Sequence, residues 1–465
     1  MTRTRTLAGV TVVLGCLTLS ACTDLQVPDY NNPSLQDLQD NPTPTKIAAA
    51  AQGLLVGTRA GMSAPNGYIS LLGILGRESY NFDAADPRFV TEMLEGELNG
   101  GSPAFGGNLW GAPYRNIRNA NILLTAVPQV TALSDAEKAG VAGFAKTVQA
   151  LDLLNVINTR DAYGAPMDVD IAPNADPAPI ATKAEVFAQI VSLLDDAKTD
   201  LQAAGTAFAF GLSDGFAGFD TPAAFLQFNR ALRARVAVYN GDFSGALTAL
   251  GESFVSTSAS LDLGVHHVYS TRSGDVTNGL FDPTAADLLA HPSLQTDAQL
   301  QADGVTRDQR FLDKVLPLAE ARTVRGITTQ LGFKIYAANT SPVPIIRNEE
   351  LILLRAEANI GLNTVGSNTA ALADINVVRT TSGGLATIAL VDWLAMTPDE
   401  RLTELLYNKR YSLLFEGGHR WIDLRRYGRL TQLPLDLPAH RRNDKFPFPA
   451  AECDARVPKP SSGCT

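Results

Sequence analysis

Few residues in this 465-residue chain are placed to do bond chemistry. His266-His267 is the one clustered imidazole pair, and neighbouring side chains of a strand point to opposite faces, so the two make poor ligands for one metal. No Gly-x-x-x-x-Gly-Lys-Ser/Thr loop, His-Glu-x-x-His helix or Gly-x-Ser-x-Gly elbow occurs. Carboxylates are plentiful, and a hydrolytic pair of them is defined only by separation in space. Nothing in these residues asks for catalysis, a cofactor or a metal, though a surface hydrolase with a carboxylate pair stays open. The densest charged run, Leu405 to Gly428, reads LLYNKRYSLLFEGGHRWIDLRRYG. Its Glu416, Arg420, Asp423, Arg425 and Arg426 suit planar, bidentate ion pairs that lock a turn at Gly417-Gly418.

Cysteine usage points to export. Arg3 and Arg5 precede the apolar run Leu7 to Leu19, which ends in Leu19-Ser20-Ala21-Cys22. That is a signal peptide over residues 1–21, too short and wrongly flanked for a permanent span. Its ending resembles the bacterial lipobox, in which Cys22 becomes the lipid-bearing N-terminus. Cys16 leaves with the signal, so Cys453 and Cys464 remain, with Pro458, Pro460 and Gly463 between them to turn the chain. In an exported protein such a pair reads as one disulfide, holding the tail by roughly 3 kcal/mol in the chain-entropy picture.

Composition sets the frame for these residues. The chain is 45% hydrophobic and 18% charged, as a protein with a sizeable core should be. With 38 Lys+Arg against 48 Asp+Glu, its net charge of −10 speaks against general nucleic-acid binding. Residues 22–44 are polar and carry Pro28, Pro33, Pro42 and Pro44, which reads as a flexible tether of about 25 Å reach. The rest, 45–465, reads as one body, with an N-terminal part at about 45–260 and a C-terminal part at about 261–465.

Helical signals dominate that body. Ser134 with Glu137 reads as a capping box opening a helix from Asp135 to Thr159. Further helices are expected at Thr45–Ala60, Asn116–Val127, Lys183–Ala203 after Thr182, and Pro222–Tyr239. Phe225 to Phe254 reads as a helical hairpin turning at Asn240-Gly241-Asp242, of the tetratricopeptide type. Ile346–Gly361 and Asn368–Thr380 form a second pair without a strict repeat period. Asn66–Asn108, Gly164–Pro179, Thr206–Asp220 and Leu263–Thr328 are rich in Gly, Pro, Asn and Asp and are expected to be long loops, where function concentrates.

The C-terminal third resembles a known family. Arg410, Leu413, Phe415, Glu416, Gly417, Arg420, Asp423, Leu424 and Arg426 are similar to the signature of the SusD/RagB surface lipoproteins. The segment from Pro344 to Ala358, the Asn376-x-x-Arg379 step with Gly384, and Phe446-Pro-Phe-Pro449 followed by Glu452 resemble further family motifs in the same order. Trp110, Tyr114, Ala120-Asn121 and Tyr163-Gly164-Ala165-Pro166 add matches in the N-terminal half. The chain departs from the usual pattern at Asn408, at Ser412 and in the doubled glycine.

The resemblance implies a mainly α, SusD-like fold, in which degenerate tetratricopeptide-like pairs form a scaffold for irregular, ligand-facing loops. It implies a lipid-anchored, surface-exposed protein of the cell outer membrane. Such a protein captures an oligosaccharide or other nutrient and hands it to a TonB-dependent, SusC-like barrel transporter. The alternative is a helical-repeat envelope scaffold binding other proteins. Sugar recognition calls for aromatic faces with carboxylate, amide and guanidinium groups beside them. In the family the segment before the Trp-x-x-x-Tyr helix often supplies such groups. Here it holds Arg77, Tyr80, Asn81, Phe82, Asp83, Phe105 and Asn108, followed by Trp110. Phe216, Phe219 and Tyr269 on other loops complete the candidate ligand face, a modest one for a chain with only three Trp.

Overall fold

A computed structural model describes residues 35–101, 108–171 and 175–464. Cys22, most of the tether and Phe105 lie outside the described residues. The N-terminal part is a stack of long helices, Pro44–Arg59, Asn108–Ala126, Asp135–Arg160, Lys183–Ala203 and Pro222–Tyr239. Four of these, all but Asn108–Ala126, start where their residues provide a cap or a proline. Thr182 and Glu185 form a capping box, and Thr221 accepts a hydrogen bond from Ala224 N ahead of Pro222. In the Ser134 box, Glu137 N donates to Ser134 Oγ at 3.3 Å while Ser134 N donates to Glu137 Oε2 at 2.8 Å. Ser134→Ala should therefore cost about 1 kcal/mol of stability, read as a lower denaturation midpoint with an unchanged slope. An unchanged midpoint would show that tertiary packing alone sets this helix end.

Small residues let the helices approach. A Cβ on Gly143 would come within 2.6 Å of Leu201, and one on Gly57 within 1.9 Å of Asn116 Oδ1. The hairpin turns through Gly241, at φ +76°, into the helix Phe243–Gly251. Asn348–Leu362 and Val365–Thr381 form the second pair, and Gly361 lies against the Phe243 ring, so the two pairs stack. A separate apolar cluster around Trp393, Ile352, Ile375 and Leu405 holds the second pair to the helix Pro398–Ser412.

The segments expected to be loops hold more regular structure than their composition suggests. Tyr68–Leu75 is a wholly buried helix, uniformly apolar and so without an amphipathic period. Ser79–Asn81, Leu288–Ala290, Ile327–Phe333 and Val315–Val324 form a four-stranded antiparallel sheet in that spatial order. The last two strands are joined by Arg325-Gly326, both at positive φ, which matches the twist of a two-residue hairpin. Gly264–His267 pairs with Val343–Arg347 as a separate ribbon. At the other end of the chain the body begins earlier than expected, because a short helix, Leu35–Asp40, buries Leu38.

Candidate functional site

The ribbon Gly264–His267/Val343–Arg347 divides two clefts, and His266 contributes to both. The first cleft, about 680 Å³, lies between the C-terminal end of the Pro44–Arg59 helix, the Gly211–Phe216 loop and residues 266–275. The loop sits tight on the ribbon, since a Cβ on Gly215 would fall 2.0 Å from the His266 carbonyl oxygen. Arg59 organises the far wall. Its guanidinium donates to the Val268 carbonyl and to Asp275, and lies 5.3 Å from the centre of the Tyr269 ring. Gln52, Asp214, Arg272, Ser273 and Asp275 are exposed along the rim.

The cleft suits hydrogen bonding better than proton transfer. Ser270 and Arg59 hold the Asp275 carboxyl below its ordinary range, so it is an ionised acceptor. Burial lowers both imidazoles, His267 to about 3 and His266 in the same direction, with Arg347 adding to the effect at His266. Both rings are neutral near pH 7. Among the described residues no group of three or more His, Cys, Asp or Glu is placed to hold a metal ion.

The second cleft, about 820 Å³, is floored by an ion network. Arg347 bonds Glu416 at 2.8 Å and Glu349, while Lys314 reaches Glu416 at 2.9 Å. Burial alone would raise the Glu416 carboxyl, but Arg347 and Lys314 outweigh it and hold it at about 2. A few residues on, Asp423 bonds Lys409 at 2.7 Å and Arg426 at 2.8 Å, and both cations also reach Glu357. These pairs tie the C-terminal charged run to the Asn348–Leu362 helix. Gly418, at φ +70°, lies against Leu72, where a Cβ would approach to 2.3 Å. That contact explains the doubled glycine, and it seats the turn on the buried Tyr68–Leu75 helix.

The residues expected to face ligand are distributed differently. Phe216 and Tyr269 line the first cleft, both from beneath its surface at 4% and 6% exposure. Arg77, Tyr80 and Asn81 are interior: Arg77 donates to the carbonyls of Pro434 and Arg441, and Tyr80 stacks on Phe82 with centroids 5.4 Å apart. The strand Ser79–Asn81 forms a sheet edge covered by neighbouring segments, which is why its polar sequence does not put it at the surface. Phe219 packs on Phe254, and Trp110 packs on Tyr114 and Phe448. Asp83 is half-buried and accepts from Ala85 N. Cys453 and Cys464 are joined in a disulfide. Arg59, Gln52 and Arg272 were not singled out from sequence. Arg59 ends a helix whose other charges are few, a faint signal at best.

Comparison with known proteins fits this architecture. Residues 323–455 match the SusD family model, a stretch that holds nearly all of the ion network. A SusD superfamily protein from Bacteroides vulgatus ATCC 8482 superposes with a TM-score of 0.66 at 15% identity, covering 90% of this chain and 99% of its own. A SusD-like carbohydrate binding protein from Bacteroides fragilis NCTC 9343 gives 0.68 at 14% identity, covering 88% and 98%. A laminarin binding SusD-like protein gives 0.60 at 18% identity, covering 88% and 97%. No curated protein matches significantly. The chain thus has the fold of the SusD superfamily over nearly its whole length, and its C-terminal segment carries the SusD family's sequence, as the charged signature implied.

Proposed function

We propose that this protein is a nutrient-binding lipoprotein of the outer-membrane surface. It captures an oligosaccharide in the first cleft and passes it to a TonB-dependent, SusC-like barrel, without catalysis. The observation that carries the reading is a whole-chain SusD-superfamily fold that presents a cleft of about 680 Å³, the size of a small-molecule site. Arg59, Gln52, Arg272, Asp214 and Asp275 supply the guanidinium, amide and carboxylate groups that neutral sugar hydroxyls need. Tyr269 and Phe216 make the floor apolar beneath them. Among the described residues no helix is long and apolar enough to cross a membrane. In this reading Cys22 carries the lipid, and the short tether keeps the body at high local concentration near its barrel.

The test is affinity electrophoresis of the intact, detergent-solubilised lipoprotein in gels containing laminarin or other neutral glycans. At least one glycan should retard it, and Arg272→Ala, at an exposed rim position, should weaken retention about tenfold, the usual cost of losing a charge-assisted hydrogen bond. Pull-down from the native membrane should bring a barrel in stoichiometric amount, and Cys22→Ala should release the protein from the membrane. No retention by any glycan, or no barrel in the pull-down, would sink the corresponding half of the proposal.

A further inference from the structure

A third cavity, about 210 Å³, lies between the helices Pro398–Ser412 and His419–Arg426. It is too small for an oligosaccharide, and its lining is unusually cationic: Lys409, Arg410, Arg420 and Arg429 stand against Asp297 and Asp423. Three of the four cations are matched. Lys409 pairs with Glu357 and Asp423, Arg410 with Asp297 at 2.7 Å, and Arg429 with Asp399 at 2.5 Å.

Arg420 is different. It donates to the Arg77 carbonyl at 2.9 Å, and among the described residues no carboxylate lies within ion-pair distance. The opposite charge it feels most is that of Glu78, which is 1% exposed and has neither side-chain oxygen hydrogen-bonded. Burial pushes that carboxyl up to about 7, so near neutral pH it offsets Arg420 only in part. Arg410 Nε, in the same cavity, is buried with no partner. Arg420 is half-buried, and a partly desolvated guanidinium without a counterion is costly, a cost that an oxyanion entering beside it would reduce.

We propose that this cavity binds a small oxyanion group, a carboxylate or sulfate, with Arg420 as its main partner and Arg410 and Arg429 beside it. The planar guanidinium fork matches both groups in geometry. The volume admits a free inorganic ion or the charged end of a single acidic sugar. This site is separate from the carbohydrate cleft and does not depend on the reading of that cleft.

The experiment is isothermal titration of the full chain, at low ionic strength, with sulfate, galacturonate and galactose against a chloride control. Saturable binding of sulfate or galacturonate, with none for galactose, is expected. Arg420→Gln should weaken it at least tenfold. Arg429→Gln, whose side chain hydrogen-bonds only Thr403 and Asp399, guards against a failure to fold and should weaken it several-fold. Galacturonate binding tenfold tighter than sulfate would identify a sugar-borne anion, and equal or weaker binding a free one. No saturable binding beyond chloride, or undiminished binding in Arg429→Gln, would overturn the assignment.

Discussion

Replacing Lys409 by methionine should lower the free energy of unfolding by about 3–5 kcal/mol, the usual cost of removing one partner from a buried ion pair. Lys409 is 2% exposed and sits 2.7 Å from both Glu357 and Asp423. Arg426 spans the same two carboxylates at 3.0 and 2.8 Å, and Tyr427 donates to Glu357 at 2.7 Å. Two cations and two anions thus close a neutral, buried square. Methionine keeps most of the lysine stem's volume but strands one negative charge in the core. The effect should depend on pH. Burial alone would raise the Glu357 carboxyl, yet Lys409 and Arg426 hold it at about 2, below its unfolded value of 4.5. Its contribution is therefore present above pH 4.5 and is lost as pH falls toward 2. In Lys409→Met that acid-labile contribution should shrink, so the variant and wild type converge below pH 3. Guanidinium denaturation at pH 7 and pH 3 measures both effects. A loss under 1 kcal/mol at pH 7 would mean that Arg426 alone satisfies the two carboxylates.

The same network shows why part of the fold could be read from residues and part could not. Helices with strong local signals stand at or close to where those signals put them, as with Thr182 and Glu185 or Thr221 before Pro222, because capping is a property of four adjacent residues. The charged run from Glu416 to Arg426 reads as an ion network, since alternating acids and arginines beside glycines have few other uses. Glu416, Asp423, Arg425 and Arg426 pair, while Arg420 bonds the Arg77 carbonyl instead. The run's partners Lys314, Arg347 and Glu357 were not legible as such, because only the tertiary fold brings them close. The sheet was missed for a different reason. Three of its strands sit among Gly-, Asn- and Asp-rich stretches, and its hairpin turns on Arg325-Gly326 in place of the usual Asn-Gly. The residues of the candidate cleft were the least legible. A polar, aromatic segment such as Tyr80-Asn81-Phe82 looks like a binding loop, yet a sheet edge covered by neighbouring segments buries all three. The cleft is built instead from Arg59, at the end of an Ala-rich helix, and from residues more than 150 positions away.

The contribution of Asp152 to stability should be largest at mildly acidic pH and fall toward neutrality, opposite in sign to that of His267 and His291, which burial holds below their ordinary value. Glu357 and Glu416, held at about 2, contribute stability that is present above about pH 4.5 and lost below it. Asp152 acts in the opposite sense. It is 1% exposed between the helices Pro44–Arg59 and Asn108–Ala126, and it accepts hydrogen bonds from Thr58 and from Asn116 at 2.6 Å. Burial raises its carboxyl to about 7, because two neutral donors cannot replace the water that a carboxylate loses. Glu78, also raised to about 7 by burial, acts in the same sense. A group whose folded value lies above its unfolded one binds its proton more tightly when folded. Its contribution is thus full below about pH 4 and is lost as pH rises to about 7, a change of roughly 2–4 kcal/mol for a shift of this size. Asp152→Asn tests the cause directly. The amide keeps an acceptor for the Thr58 hydroxyl and cannot ionise, and Asn116 Oδ1, buried without a partner, can take the new N–H if that amide turns. The variant should lie within about 1 kcal/mol of wild type at pH 5 and be about 2 kcal/mol more stable at pH 8. Denaturation midpoints across pH 4 to 8 distinguish the outcomes. A variant that tracks the wild-type curve throughout would mean that Asp152 stays ionised in the folded protein over that range.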